Sequence, residues 1–292
     1  MTILIADSGS TKTTWMMAEV DKGTPTVLRP CQTMGLNPLY TKPQQISGAL
    51  DEVLSAVGIS DIDALYFYGA GCSGERIAMV EKALAHVLPP HTHIEVASDL
   101  LGACRALGTE ICCIMGTGSI AALYDAETGY MGTACALGYI LGDEGSGAYF
   151  GRRVLSDYLK DQMPQKARAA FEEEFGEITA ESAIVHVYQG QFPNRYLASF
   201  APFIGRHLDR RYCYQIAFDG VEAFFKRNIM RLQPEPTDRI SFVGSVAFHL
   251  QDVIRQVASL HGLQVGTFLQ EPIEGLVEYH KKRNDNYYFL GR

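Results

Sequence analysis

The sequence predicts an α/β protein made of two copies of one unit, each a mixed sheet flanked by helices. Two observations favour this fold. A pair of apolar runs joined by a glycine turn occurs in residues 3–20 and again in residues 111–125. Each pair is followed by apolar segments with strand and helix periodicity, the pattern of sheets covered by helices. Such internal repetition indicates a fold more strongly than local propensity does.

The first copy opens with three short strands bounded by glycine, proline or charged residues. Helices and strands then alternate, because the later apolar positions recur at helical spacing between short apolar runs. The predicted elements are, in order, strands at 3–6, 15–20 and 26–30, a helix at 43–57, a strand at 64–71, a helix at 74–88, a strand at 93–97 and a helix from 98 or 99 to about 107.

The second copy repeats the three-stranded start and is the longer of the two. Its predicted elements are strands at 111–116, 120–125 and 129–135, a largely helical stretch at about 145–231, a strand at 240–244, a helix at 245–262, a strand at 267–270 and a last helix after Pro272. We expect two lobes that meet along a cleft, since no low-complexity linker separates the copies.

Length and charge exclude several classes of protein. With 292 residues the chain is near the size at which single cores divide, and 47% hydrophobic with 20% charged residues is a globular composition. A net charge of −8 disfavours nucleic-acid partners and a DNA-binding repressor, and no apolar stretch is long enough for a membrane helix. The first apolar run leads into a glycine turn without a preceding basic segment, so we expect a buried strand and a cytoplasmic protein.

Two glycine turns are the first candidates for chemistry. A strand that ends in a turn of glycine, serine and threonine exposes backbone N–H groups that can bind phosphate oxygens, as in "DSGSTKT" (7–13) and "GTGS" (116–119). Asp7 could hold Mg²⁺ directly or through water. Either turn alone is better explained as a tight hairpin, but two at equivalent places in a repeated unit favour a clamp for one polyphosphate.

Three further segments each have a chemical and a structural interpretation. The run "LGDEGSGAYFGRRVL" (141–155) is either a hydroxyl-binding or hinge loop or an acidic helix cap, and Asp99 in "SDLLGA" is either a general base or part of a helix N-cap. The segment "FVGSVA" (242–247) either lies under an adenine ring or is an ordinary strand-to-helix connection.

Along the chain the motifs occur in the order "DSGSTKT", "MGLNP" (34–38), "SDLLGA", "GTGS", "LGDEGSGAYFGRRVL" and "FVGSVA". This order resembles that of the sugar-kinase branch of the actin/hexokinase/Hsp70 ATPase superfamily. In particular, the chain resembles the N-acetylglucosamine kinases and their relatives, the BadF/BadG/BcrA/BcrD-type ATPases, and "GDEGS" after "GTGS" is the most specific part of the resemblance. The resemblance implies a two-lobed actin-like ATPase, a duplicated ribonuclease H-like fold with mixed five-stranded sheets. The expected lobes are residues 1–108 with the C-terminal helix 274–292, and residues 109–273, with ATP and sugar in the cleft between them.

The resemblance also implies a role for individual residues. Asp99 matches the catalytic aspartate. ATP and phosphate contacts are implied for Asp7, Gly9, Ser10, Thr11, Lys12, Thr13, Gly116, Thr117, Gly118, Ser119, Gly244 and Ser245, with Mg²⁺ at Asp7. Sugar contacts are implied for Asn37, Asp99, Gly138, Tyr139 and Asp143.

Two departures from the family pattern lie on the sugar side. Ile120 follows "GTGS" where the kinases have asparagine, and Leu137 lies in "ALGY" where they have a G-W-G-H-like run.

From the resemblance as a whole we expect an ATP- and Mg²⁺-dependent kinase of an amino sugar, N-acetylglucosamine at O6, acting as a homodimer. The alternatives are a kinase of N-acetylmuramic acid or of both sugars, and a BadF/BadG-type ATPase that activates a partner redox protein.

Overall fold

The computed structural model describes the backbone of residues 1–19, 26–58, 61–129 and 131–290, and the side chains of these residues except 26–29 and 284–290. The chain divides into two compact units. Unit 1 comprises Met1–Gly108 and the segment from Glu271 onward, and unit 2 comprises Thr109–Gln270.

Unit 1 contains a mixed five-stranded sheet with the strand order β3-β2-β1-β4-β5. Its strands are β1 (Thr2–Ser8), β2 (Lys12–Glu19), β3 (Thr26–Met34), β4 (Ala64–Gly69) and β5 (His93–Ser98). The first three strands are antiparallel, and β1, β4 and β5 run parallel. Its helices are α1 (Pro43–Val57), α2 (Glu75–Ala85), α3 (Asp99–Leu107) and α13 (Ile273–Leu290).

Residue parity along β1 explains how this sheet is covered. Leu4 and Ala6 pack with buried residues of α1 and α2, whereas Ile3 and Ile5 pack with the start of α13. Successive strand residues point to opposite faces, so both faces are buried and the strands read as continuous apolar runs. The side chains of the next two residues, Asp7 and Ser8, therefore lie on opposite faces of the sheet.

Unit 2 repeats the arrangement with the strand order β10-β9-β6-β7-β8. Its strands are β6 (Ile111–Met115), β7 (Ser119–Tyr124), β8 (Met131–Thr133), β9 (Arg239–Val243) and β10 (Gln264–Leu269). The predicted mixed five-stranded sheets are confirmed in both units. None of the described helices combines the length and the apolar character that crossing a bilayer requires.

The helices of unit 2 surround one large apolar core that includes Phe171, Phe203, Phe224 and Phe242. They are α4 (Gly138–Leu141), α5 (Gly147–Leu159), α6 (Gln165–Phe175), α7 (Ala180–Ile184), α8 (Pro193–Ala198), α9 (Ala201–Arg206), α10 (Arg211–Phe224), α11 (Ser245–His249) and α12 (Gln251–Leu260). Two π-helical turns, Val185–Gln189 and Phe225–Ile229, and a 3₁₀ turn, Met230–Leu232, extend α7 and α10.

The single helix predicted at 245–262 is wrong. The segment forms α11 and α12, which are separated at Leu250, where φ and ψ are −104° and 19°. The Leu250 side chain is buried in the core of unit 2. The break lets α11 and α12 both pack on that core, which a straight amphipathic pattern does not reveal.

Candidate active site

The first glycine turn is a short hairpin between β1 and β2. The Gly9 N–H donates to the carbonyl of Lys12 at 3.0 Å, and the Gly35 N–H donates to the carbonyl of Thr11 at 3.1 Å. A Cβ at Gly35 would lie 2.6 Å from the carbonyl oxygens of Gly9 and Ser10. Gly35 therefore holds the turn by close backbone contact, a role that the sequence analysis missed although "MGLNP" contains this glycine.

Ser8 and Thr13 lie on the face of the sheet that α1 and α2 cover. The Thr13 hydroxyl donates to the carbonyl of Met34, the Ser8 hydroxyl accepts the Leu36 N–H, and the two hydroxyl oxygens are 2.9 Å apart. Because Thr13 Oγ1 already donates to Met34, Ser8 Oγ is the donor between the two. Both side chains are fully buried, so these hydroxyls fasten the segment 34–36 to the hairpin. A phosphate contact by the Thr13 hydroxyl remains a prediction.

The opposite face of the hairpin carries charge. Asp7 is the register partner of Thr14, and Thr14 Oγ1 donates to Oε2 of Glu271 at 3.2 Å. The other oxygen of Glu271 forms an ion pair with Nζ of Lys12. Strand alternation thus brings the predicted residues Asp7 and Lys12 together, and it adds Glu271, which the sequence analysis did not select.

Asp7 differs from an ordinary carboxyl group in its proton affinity. The pKa of Asp7 is raised to about 7, mainly by burial and also by the nearby charges of Asp99 and Glu271, while the charge of Lys12 opposes the shift. No group of three or more His, Cys, Asp or Glu side chains is placed to hold a metal ion in the part of the chain that the structure describes. Mg²⁺ in phosphoryl-transfer sites commonly takes one or two carboxylates, with phosphate and water as its other ligands. A single carboxylate in an electronegative setting fits that mode of binding.

Asp99 is the first residue of α3, at the end of β5. The Ser98 hydroxyl caps the helix by accepting the Leu101 N–H at 3.2 Å, and Oδ1 of Asp99 accepts the Leu100 N–H at 2.9 Å. Burial raises the pKa of Asp99 to about 6 despite these hydrogen bonds. The cap is therefore supplied by Ser98, and the Asp99 carboxyl has the proton affinity of a general base that works near neutral pH.

Asn37 shapes the segment between β3 and α1. Its Oδ1 accepts the Leu39 N–H at 2.9 Å, and its carbonyl accepts the N–H groups of Tyr40 and Thr41. Gly71 lies against it, at a φ of +80°, and a Cβ there would overlap the Asn37 amide. Nδ2 of Asn37 has no hydrogen-bond partner among the described residues, so the amide keeps a donor for a hydroxyl ligand.

The second glycine turn is fastened to the start of α5. The carbonyl of Gly116 accepts the Gly147 N–H at 2.7 Å, and the carbonyl of Thr117 accepts the Ala148 N–H at 3.1 Å. The Ser119 hydroxyl donates to the carbonyl of Glu144 at 2.7 Å. The turn and the loop "GDEGS" are therefore one structural unit, which explains in physical terms why the two motifs occur together.

Asp143 occupies the centre of that unit. It has a φ of 53°, a conformation that is strained for a non-glycine residue, and its carboxylate accepts the Ser119 N–H. A Cβ at Gly118 would lie 3.0 Å from Oδ2 of Asp143. Burial raises the pKa of this carboxyl, and the neighbouring charge of Glu144 raises it further. Strain of this kind is concentrated at functional sites.

Gly244 joins the third predicted nucleotide segment to the second glycine turn. Its φ is +119°, and a Cβ there would overlap the carbonyl of Met115 and lie 3.2 Å from the nitrogen of Gly116. Its N–H donates to the carbonyl of Leu269 at 2.9 Å. Only glycine fits this contact, so the residue fixes Ser245, at the start of α11, beside the turn.

A cavity of 290 Å³ opens where these segments converge. Three predicted residues, Gly116, Thr117 and Ser245, contribute to its wall. The remaining lining is mostly apolar and is supplied by residues for which no individual role was predicted: Gly147, Phe150, Ala198, Ala201, Pro202, Ile204, Gly205, Arg206, Val246, His249 and Leu250. A mostly apolar pocket with a few polar groups at one end is typical of sites for small organic ligands.

A second cavity of unit 2 has a volume of 440 Å³. Asp143 lines it together with Leu137, and three cationic side chains, Lys226, Arg227 and Arg231, also contribute. Gly138, at a φ of +69°, begins α4, and the Tyr139 side chain packs against the core of unit 2 while its carbonyl accepts from Arg152 at 3.3 Å. Neither is a lining residue of this cavity, so their predicted sugar contacts stay predictions.

Comparisons with known proteins support a kinase family. The chain is 44% identical to a solved structure from Porphyromonas gingivalis that carries the provisional name N-acetylglucosamine kinase. The match covers 97% of this chain and 99% of that one, with a TM-score of 0.89. No family model and no curated protein sequence matches the chain.

Two more distant structures share the fold. One, from Chromobacterium violaceum and also provisionally named an N-acetylglucosamine kinase, is 18% identical with a TM-score of 0.70, over 95% of this chain and 98% of that one. The other, the ethanolamine utilization protein EutJ from Carboxydothermus hydrogenoformans, is 12% identical with a TM-score of 0.51, over 94% of this chain and 87% of that one. The chain therefore belongs to the N-acetylglucosamine-kinase-like sugar kinases, phosphotransferases of the actin-like fold.

Proposed function

We propose that the protein transfers the γ-phosphoryl group of ATP to a hydroxyl of an amino sugar, N-acetylglucosamine at O6. The proposal that the protein binds ATP rests on the 290 Å³ cavity whose wall includes Gly116, Thr117 and Ser245. Two segments that the sequence assigns to nucleotide binding, 128 residues apart as counted from Thr117 to Ser245, reach the same cavity. The apolar remainder of the wall suits an adenine ring.

The phosphate and metal contacts are assigned to the first turn. Asp7 would hold Mg²⁺, directly or through water, and the backbone N–H groups of Ser10 and Thr11 are assigned to phosphate, since the Gly9 N–H already donates to the carbonyl of Lys12. An ion bound there would neutralise the negative charge that develops on the phosphate oxygens during transfer. Lys12 is the nearby cation that can leave its carboxylate partner for a phosphate oxygen.

Asp99 is assigned the role of general base. Its carboxylate takes the proton of the attacking sugar hydroxyl while the sugar oxygen forms its bond to the γ-phosphorus and the bond to the ADP oxygen breaks. A pKa of about 6 suits this step, because the group is ionised at pH 7 yet retains affinity for a proton. Asn37 and Asp143 are assigned to sugar hydroxyls, since each presents a polar group at a strained or tightly packed loop.

A second candidate substrate, N-acetylmuramic acid, is favoured by the 440 Å³ cavity. Its O-lactyl carboxylate requires a cationic partner. Arg227 pairs with Glu144 at 3.4 Å and Lys226 pairs with Glu222 at 2.7 Å, whereas Arg231 has no ion-pair partner among the described residues. Leu137, which stands at the tryptophan of the G-W-G-H-like family pattern and is half exposed, offers the lactyl methyl group an apolar contact.

The test is ADP release by the purified protein with Mg²⁺-ATP under anaerobic conditions. The sugars compared are none, glucose, glucosamine, N-acetylglucosamine and N-acetylmuramic acid. Strong stimulation by one amino sugar supports the proposal and names the substrate. Slow turnover that is indifferent to every sugar contradicts it and favours an ATPase that activates a partner redox protein.

A variant separates the two amino sugars. If N-acetylmuramic acid is the substrate, Arg231→Ala should raise its KM about tenfold, the effect of losing one charge-assisted hydrogen bond, and should leave the KM for N-acetylglucosamine unchanged. Arg255→Ala is the matched control, because Arg255 stacks on Phe268 and does not line the cavity. Equal effects of Arg231→Ala on both sugars would contradict a carboxylate contact.

A further inference from the structure

Glu271 has no role in the chemistry assigned above, yet it contacts two residues of the first hairpin. Its carboxylate accepts from Nζ of Lys12 and from Oγ1 of Thr14. Lys12 and Thr14 are two residues apart on β2 and so lie on the face that carries Asp7. Glu271 precedes α13, whose first turn is anchored under this face by the buried residues Ile273, Leu276 and Val277.

The ion pair between Lys12 and Glu271 is open to solvent. The Lys12 side chain is 50% exposed and that of Glu271 is 32% exposed. An exposed pair stabilises a protein little, so its partners can separate at small cost. Thr14 provides a second contact that keeps the Glu271 carboxylate in place when Lys12 leaves. Lys12 is thus held by an anchored carboxylate in an arrangement that a competing anion can open.

We propose that Glu271 is a positioning residue that competes with nucleotide phosphate for Lys12, and so limits how tightly the enzyme holds ADP. The inference rests on the proposed function, because it assumes that nucleotide phosphates reach the first turn. An enzyme that must release ADP after each transfer gains from such competition. The lysine binds phosphate when ATP enters and returns to the carboxylate when ADP leaves.

This competition predicts whether a substitution of Glu271 strengthens or weakens ADP binding. Glu271→Gln keeps a hydrogen-bond acceptor for Thr14 and removes the charge that holds Lys12. It should therefore tighten ADP binding about threefold or more, the size expected for one exposed ion pair. Glu271→Asp keeps the charge and should bind ADP with nearly the affinity of the unaltered protein. A residue with only a structural role would weaken binding when altered.

A double-variant cycle tests whether Glu271 acts through Lys12. In a Lys12→Met background there is no ammonium group to release, so adding Glu271→Gln should change the dissociation constant of ADP less than about 1.5-fold at physiological salt, where distant charges are screened. The measurement is calorimetric titration of ADP into each variant without sugar, with melting temperatures as a check of folding.

Asp61→Asn is the matched control, because Asp61 pairs with His91 elsewhere on the surface of unit 1 and its substitution should not alter ADP affinity. Unchanged or weaker ADP binding by Glu271→Gln overturns the inference, and so does equal tightening in the Lys12→Met background. In both cases ADP binding by the unaltered protein leaves the proposed function standing. Failure of the unaltered protein to bind ADP or ATP overturns the proposed function and this inference together.

Discussion

The hydroxyl oxygens of Ser8 and Thr13 lie 2.9 Å apart, and both side chains are fully buried. The contact joins the two strands of the first hairpin on the face away from Asp7. From there the Thr13 hydroxyl donates to the carbonyl of Met34. The Thr13 hydroxyl, for which the family resemblance implies a phosphate contact, thus holds the turn and the segment 34–36 together.

Thr13→Val should lower the free energy of unfolding by about 1–3 kcal/mol, because it leaves the buried Ser8 hydroxyl without its acceptor and removes a donor to the Met34 carbonyl, while preserving the shape of the side chain. Urea unfolding measures this change. Ser10→Ala is the control, since the Ser10 side chain makes no hydrogen bond within the described segments of the chain and lies in the same turn. Unaltered stability of Thr13→Val combined with loss of ADP binding would instead favour a direct phosphate contact.

Gly244→Ala should be costly for stability and for nucleotide binding. The added Cβ meets the carbonyl of Met115 at a φ of +119°, where side chains are rarely tolerated. Strain and overpacking together should lower the free energy of unfolding by about 3 kcal/mol, and displacement of the Met115–Gly116 peptide should raise the KM for ATP.

Gly262→Ala separates the two causes of that loss. Gly262 also has a positive φ, +70°, but a Cβ there meets no atom within 4 Å. It should cost about 1 kcal/mol, the backbone contribution alone, and leave the KM for ATP unchanged. Equal losses for the two variants in urea unfolding would show that the contact with Met115 contributes nothing.

Sequence reasoning succeeded where local pattern decides structure. Apolar runs ending in glycine turns predicted both sheets, and the serine before Asp99 predicted the start of α3. It failed where contacts join distant parts of the chain. Lys12 and Glu271 are 259 residues apart, and no periodicity links them. The 290 Å³ cavity likewise depends on Ala198 and Pro202, whose helical segments carry no motif.

The pH dependence of the reaction should report Asp99. At saturating Mg²⁺-ATP, where the proposed metal contact would keep Asp7 ionised, kcat/KM for the sugar should fall as the pH drops below about 6, because protonated Asp99 cannot accept the hydroxyl proton. The decrease should approach tenfold per pH unit on the acid side. Initial rates between pH 4.5 and 8 measure it.

Asp99→Asn should abolish transfer without weakening nucleotide binding. The amide keeps the size of the side chain and an oxygen for the Leu100 N–H, but it cannot take a proton. Calorimetry should give an ADP affinity like that of the unaltered protein, while kcat falls at least about a hundredfold. Turnover by this variant at the normal rate would remove Asp99 from the role of base.

His280 connects α13 to the sheet of unit 1. Its Nε2 lies 2.8 Å from the hydroxyl of Tyr68, and its ring stacks on Tyr66 at 3.6 Å. Arg105 donates to the same Tyr68 oxygen at 2.7 Å, so the tyrosine proton is donated to Nε2 and the histidine is neutral. The pKa of His280 is lowered to about 3, mainly by burial and also by the charges of Arg105 and Arg283.

This neutral histidine should make unit 1 sensitive to acid. The unfolded chain binds a proton at His280 below about pH 6.5 and the folded chain does not, so stability is complete above that pH and falls towards pH 3 by about 1.4 kcal/mol per pH unit. His280→Gln keeps an acceptor for Tyr68 and cannot titrate, so its loss of stability between pH 6 and 4.5 should be smaller by about 2 kcal/mol. Urea unfolding at the two pH values measures the difference, and His86→Gln, at an exposed histidine, is the control. Identical slopes for the unaltered protein and His280→Gln would show that His280 accepts its proton without unfolding.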